Sequence, residues 1–194
     1  MNSRINTART IRSITSDFQT REEGEELRIE GYFAVFNSNY DIMDGMSESV
    51  APGAFADTLG DDIRALIDHE TMFVLGRNRA GTLELREDTH GLWGSILINP
   101  NDQDAMNLYS RVQRGDVTQC SFGFDILEEE TEFLPDGSVH WTIKKVKLYE
   151  VSVCTFPAYA ETNVQARQAQ YTELKERAIE RSKEELRERL RKWH

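Results

Sequence analysis

The groups in this 194-residue chain best suited to proton transfer, nucleophilic attack or metal binding are four histidines, at 69, 90, 140 and 194, and two cysteines, Cys120 and Cys154. No histidine pairs with a cysteine or a second histidine at the three- or four-residue spacing that one element of a metal site would use, so no metal centre or cofactor is expected. His69-Glu70 lacks the second histidine of HExxH, and GxxxxGK[ST], GxGxxG and GxSxG are all absent. What remains is a serine, histidine and carboxylate set.

Read as a strand, Gln119–Ile126 places Cys120, Phe122, Phe124 and Ile126 on one face and Gln119, Ser121, Gly123 and Asp125 on the other. Ser121 therefore opposes the apolar face, and Gly123 leaves the surface beside it free of side-chain bulk, as close approach of a substrate backbone requires. An ordinary surface serine fits the same pattern. Ile63, Ala65, Ile67 and His69 share one face of a second strand, so His69 ends an apolar row, with Asp68 and Glu70 as its neighbours. A satisfied core histidine would look alike, but an imidazole suits general base work near neutral pH. Glu150 lies inside the apolar run Leu148–Val153, where an unpaired carboxylate costs several kcal/mol. It requires a partner: a protonated histidine, or Arg77 or Arg111 in a structural ion pair. Ser152 shares its face as a fallback nucleophile or a hydrogen-bond donor to it.

The elements that position these residues are mostly strands. Leu27–Phe36, Ile63–His69, Gly81–Arg86, Gly91–Ile98, Gln119–Leu127, Val139–Lys147 and Leu148–Thr155 carry β patterning, with a hairpin turn at Leu134–Ser138. Helices are expected at Pro52–Leu59 and at Asp102–Arg114, the latter with Asp102 as N-cap and Gly115 as terminator. Residues 1–26 read as a flexible lead-in or a hairpin turn, residues 27–164 as the functional domain, and residues 165–194 as a charged amphipathic helical tail.

Charge divides the same way. The overall −11 is the sum of −14 on residues 1–164 and +3 on the tail, where nine Lys and Arg face six Glu. An acidic body argues against binding nucleic acid through phosphate neutralisation. No window approaches the roughly 18 apolar residues of a membrane helix, and residues 1–13 lack the apolar core of a secretion signal. Two isolated cysteines suit a reducing compartment.

Several blocks occur together in one order: Gly31-Tyr32-Phe33-Ala34-Val35-Phe36-Asn37, Val50-Ala51-Pro52-Gly53-Ala54-Phe55, Leu66-Ile67-Asp68-His69-Glu70, Val74-Leu75-Gly76-Arg77, Gly81-Thr82-Leu83, Arg114-Gly115-Asp116, Ser121-Phe122-Gly123-Phe124, and Glu150-Val151-Ser152-Val153 with Pro157-Ala158-Tyr159. Across about residues 28–162 the chain resembles the tailed-phage prohead, or capsid maturation, proteases. The resemblance implies an α+β fold akin to the herpesvirus assemblins, a β-barrel surrounded by helices. It also implies a serine endopeptidase with Ser121 as nucleophile, His69 as general base and Glu150 as the acid that orients His69. The herpesvirus relatives use a second histidine in that third role, which keeps His140 as a rival. Substrates would be the internal scaffold or the scaffolding region of the major capsid protein, and the protease itself, inside the prohead in the host cytoplasm. A homodimer is compatible with the resemblance, and the tail would be a docking or removable segment. The competing readings are a non-catalytic assembly factor of the same fold and a binding module built on the tail.

Overall fold

A computed structural model describes residues 10–16, 18–24, 26–156 and 161–191. Their contacts divide the chain into two units, Met1–Tyr159 and Ala160–His194. Glu25, Pro157, Ala158, Tyr159, Trp193 and His194 lie outside the described residues.

The first unit is β-rich. Its longest strands, β10 (Gln119–Phe133) and β11 (Val139–Cys154), form one antiparallel hairpin. It closes at the expected turn, where Leu134 N–H donates to Ser138 O at 2.9 Å. Two strands were expected over 139–155; they are one, because Lys147 and Leu148 continue the ladder onto Asp125 and Phe124. On its outer side β10 carries β1 (Thr10–Thr15), antiparallel. Along the outer side of β11 run β5 (Met46–Val50), parallel to residues 139–143, and β6 (Arg64–Ile67), parallel to residues 150–153. Antiparallel neighbours extend both: β4 (Tyr40–Met43) beside β5, and β7 (Glu70–Arg77) beside β6.

A second sheet has the order β2-β3-β9-β8, from β2 (Gln19–Glu23), β3 (Glu26–Val35), β8 (Leu83–Glu87) and β9 (Gly91–Ile98). Alternation along β3 buries Ile29, Gly31 and Phe33 on one face. Phe33, Phe55, Phe122, Phe124, Ile96 and Leu148 belong to one buried cluster fed by both sheets. Each such side chain contributes about 1.5–3 kcal/mol by leaving water. Mostly β is therefore correct, whereas the closed barrel is not what forms: the described strands make two sheets, and neither strand order returns to its start.

Helix α1 (Gln103–Arg114) has the expected ends, with the Asp102 carboxylate accepting from Asp104 and Ala105 N–H and Gly115 left-handed at φ 84°. The other expected helix, Pro52–Leu59, is a chain of turns. Gly53 at φ 87° interrupts the helical nucleus, and the backbone closes through three-residue bonds, Ala54 to Ala51, Ala56 to Gly53 and Thr58 to Phe55. The segment expected to lead in flexibly holds β1 and β2. β1 is secured by Arg12, whose buried guanidinium bonds Glu48 of β5 through both carboxylate oxygens. The alternative hairpin turn is present at Gly24, between β2 and β3.

The second unit contains α2 (Glu161–Arg191). Ion pairs Arg177–Glu173 and Lys183–Glu180, at i,i+4 and i,i+3, brace it, while Ile179 and Leu186 are exposed.

Candidate active site

The β6–β7 hairpin determines where His69 lies. Ile67 pairs with Glu70, which leaves Asp68 and His69 alone in the bend, and both are left-handed, at φ 48° and 63°. This is the geometry of a two-residue turn matched to strand twist, normally given to Asn-Gly or Asp-Gly. His69 is thus not the last residue of an apolar strand row, as alternation suggested. Its strand ends at Ile67, and the turn carries the imidazole towards β11.

There it meets Glu150. Imidazole Nδ1 lies 2.8 Å from Glu150 Oε1, with 17% of the His69 side chain and 3% of the Glu150 side chain exposed. A carboxylate at Nδ1 places the proton there and leaves Nε2 with its lone pair free to accept one. The other carboxylate oxygen accepts the Ser152 hydroxyl at 2.7 Å, and Ser152 Oγ in turn accepts the His69 backbone N–H at 3.2 Å. The partner that Glu150 requires is therefore His69. Arg77 is engaged elsewhere, with Nε and Nη2 on the two Asp62 oxygens at 2.6 and 2.7 Å.

Ser121 is one strand away. It sits directly opposite Ser152 in the β10–β11 ladder, so both hydroxyl-bearing side chains project from the same face, as do Gly123 and Glu150, which are also opposite one another. A bulge immediately beyond Gly123 sets off Phe124. Ser121 is fully buried, contrary to the plain surface serine that alternation allowed, and its hydroxyl donates to Arg12 O of β1 at 2.8 Å rather than to the imidazole. His140 is far off. It lies ten positions back along β11 from Glu150, on the order of 30 Å at strand rise, and its two ring nitrogens sit 2.8 Å from Ser47 and Ser49 Oγ.

Two further residues bear on the turn that carries the imidazole. Cys154 Sγ is 3.9 Å from His69 Nε2, a position that strand alternation from Glu150 through Ser152 would have indicated. Burial, then the charges of Asp68 and Glu150, push its thiol up to about 12, so it stays protonated at neutral pH. The second is Thr155, whose N–H and hydroxyl donate to the two Asp68 oxygens at 2.7 and 3.1 Å. Thr155 N–H is thereby taken up and not free to stabilise an oxyanion. Arg77 N–H is likewise engaged, donating to Thr82 Oγ1 at 2.9 Å. Among the described residues no group of three or more His, Cys, Asp or Glu side chains could hold a metal ion.

Residues 15–177 match the family model of the caudovirus prohead serine proteases. The chain belongs to that family. Over 148 residues it is 29% identical to the prohead protease of Enterobacteria phage HK97, an alignment covering 74% of this chain. The chain spans 61% of the length of that relative. In fold it resembles the bacteriophage T4 capsid assembly protease, with a TM-score of 0.52 at 11% identity, covering 77% of this chain and 98% of that one. No described helix is long and apolar enough to cross a membrane.

Proposed function

We propose that the protein is a prohead maturation protease, a serine endopeptidase using Ser121, His69 and Glu150. The observation that carries this reading is the 2.8 Å bond between His69 Nδ1 and the buried Glu150 carboxylate, on the sheet face that also bears Ser121. Family membership supplies the reaction class.

In the reaction, Ser121 Oγ turns from the Arg12 carbonyl to the imidazole and attacks a peptide carbonyl carbon, while Nε2 takes its proton. The tetrahedral adduct collapses, and Nε2 returns that proton to the departing amine. Water then attacks the acyl-enzyme, giving up a proton to Nε2, and as the second adduct collapses Nε2 returns that proton to Ser121 Oγ, releasing the acid. Glu150 stays ionised throughout, holding the tautomer and balancing the imidazolium charge. Catalytic hydrogen bonds commonly tighten only with substrate bound. Ser152 is a poor nucleophile in this arrangement, since its proton is given to Glu150 itself.

Substrates are the internal scaffold or the scaffolding region of the major capsid protein, and the protease itself, inside the prohead. A non-catalytic assembly factor of the same fold would have no use for an imidazole held by a buried carboxylate. One observation favours a second nucleophile, the approach of Cys154 Sγ to Nε2, but its high proton affinity opposes that role. A fluorophosphonate probe separates the candidates by peptide mapping. The proposal expects covalent label on Ser121, abolished in His69→Ala; label on Ser152, or full labelling without His69, would contradict it.

A further inference from the structure

The bend that carries His69 is conformationally expensive. Two successive non-glycine residues, Asp68 and His69, occupy the left-handed region, which side chains other than glycine enter at a cost. Such geometry persists only where the surroundings over-determine it. Aspartate tolerates it better than most residues, but histidine follows directly.

What holds the bend is visible. The Asp68 carboxylate spans the gap to the end of β11, accepting Thr155 N–H on Oδ1 at 2.7 Å and Thr155 Oγ1–H on Oδ2 at 3.1 Å. Asp68 N–H donates to Val153 O at 3.1 Å, and His69 N–H to Ser152 Oγ at 3.2 Å. All these anchors lie on the segment 152–155, which begins two residues after Glu150. The turn bearing the base is thereby fastened to the strand bearing the acid.

We propose that Asp68 is a positioning residue, a carboxylate clamp on Thr155 that fixes the imidazole of His69 against Glu150. The inference rests on the protease reading for its consequence in catalysis, and on the bend alone for its geometry. Displacement of a reacting group by about 1 Å costs on the order of 100-fold in rate, so slack in this bend is felt at Nε2.

Substitutions separate the clamp from the strain. Asp68→Gly relieves the left-handed backbone but deletes the clamp. Asp68→Asn keeps an acceptor for Thr155 N–H and a donor for the hydroxyl oxygen. Full-length chains are compared by two readouts: the rate of Ser121 labelling by a fluorophosphonate, and the far-downfield proton resonance of an imidazole Nδ1–H bonded to a carboxylate. Asp68→Gly is expected to lose the resonance and to label about 10- to 100-fold more slowly, with Asp68→Asn within about threefold of wild type. Retention of both resonance and rate in folded Asp68→Gly overturns the proposal. Should that variant not fold, Thr155→Val removes only the hydroxyl half of the clamp, and an unchanged rate there overturns it equally. A wild type that shows the resonance yet never labels would sink the protease reading while leaving the clamp in place, provided Asp68→Gly loses the resonance.

Discussion

At the scale of single residues, four side chains with reactive atoms share one sheet face, and their protons distinguish them. Ser121→Ala and His69→Ala are expected to lower cleavage by a factor on the order of 10⁴ or more. Ser152→Ala should instead lose about 2 kcal/mol of stability while keeping measurable activity, because it removes a hydrogen bond to a charged, buried carboxylate and the acceptor of His69 N–H. Denaturant melts alongside cleavage assays would separate these outcomes, and a dead but stable Ser152→Ala would contradict the assignment. Cys154 offers a pH test. With its thiol pushed up to about 12, alkylation by iodoacetamide in the native chain should remain slow through pH 9, where an ordinary thiol is mostly thiolate. The need of Glu150 for a partner was legible, from a charge in an apolar strand, whereas alternation misplaced His69, which lies in a turn, and allowed a surface position for Ser121, which is buried. The meeting of His69 with Glu150 was not legible, since it depends on β6 lying parallel to the far end of β11, with eighty-one residues between the two positions in sequence.

Among the elements, the β6–β7 hairpin matters most, and it is fastened at both ends. Asp68 and Thr155 hold its tip, while Asp62 and Arg77 close its open end. The Arg77 guanidinium, first by hydrogen bond and with Arg64 and Arg77 charge adding to it, holds the Asp62 carboxyl down to about 2. A depressed carboxyl stabilises the fold above its unfolded value near pH 4, and that contribution fades as pH falls towards 2. The melting temperature of wild type should therefore exceed that of Asp62→Asn at pH 6 and converge with it near pH 2; a gap independent of pH would contradict the account. Within the same hairpin, a Cβ on Gly76 would come 2.6 Å from the Thr82 carbonyl oxygen. Gly76→Ala should then cost about 1–3 kcal/mol, visible in denaturant unfolding. The sequence pattern located β3, β9, β10 and α1, whose alternation or caps are strong. It did not reveal β7, because Glu70–Val74 is exposed throughout and so has no burial alternation. Nor did it reveal β1, whose buried arginine reads as a surface charge until Glu48 is placed beside it.

For the molecule as a whole, charge separates an acidic body from a basic tail, and the contact units divide at Tyr159 and Ala160 in the same region. The tail's composition announced a helix, and α2 runs 31 residues. What it does is a matter for mass spectrometry: self-cleavage predicts a shorter species in wild type that is missing in Ser121→Ala. The barrel was not legible in this chain, since strand count and patterning do not say whether a sheet closes, and here two open sheets share the core. The central claim is endopeptidase action on the capsid precursor by Ser121, and co-expression with the cognate capsid precursor tests it most directly. Cleaved precursor with wild type and intact precursor with Ser121→Ala is the predicted result; precursor cleaved equally by both would contradict it.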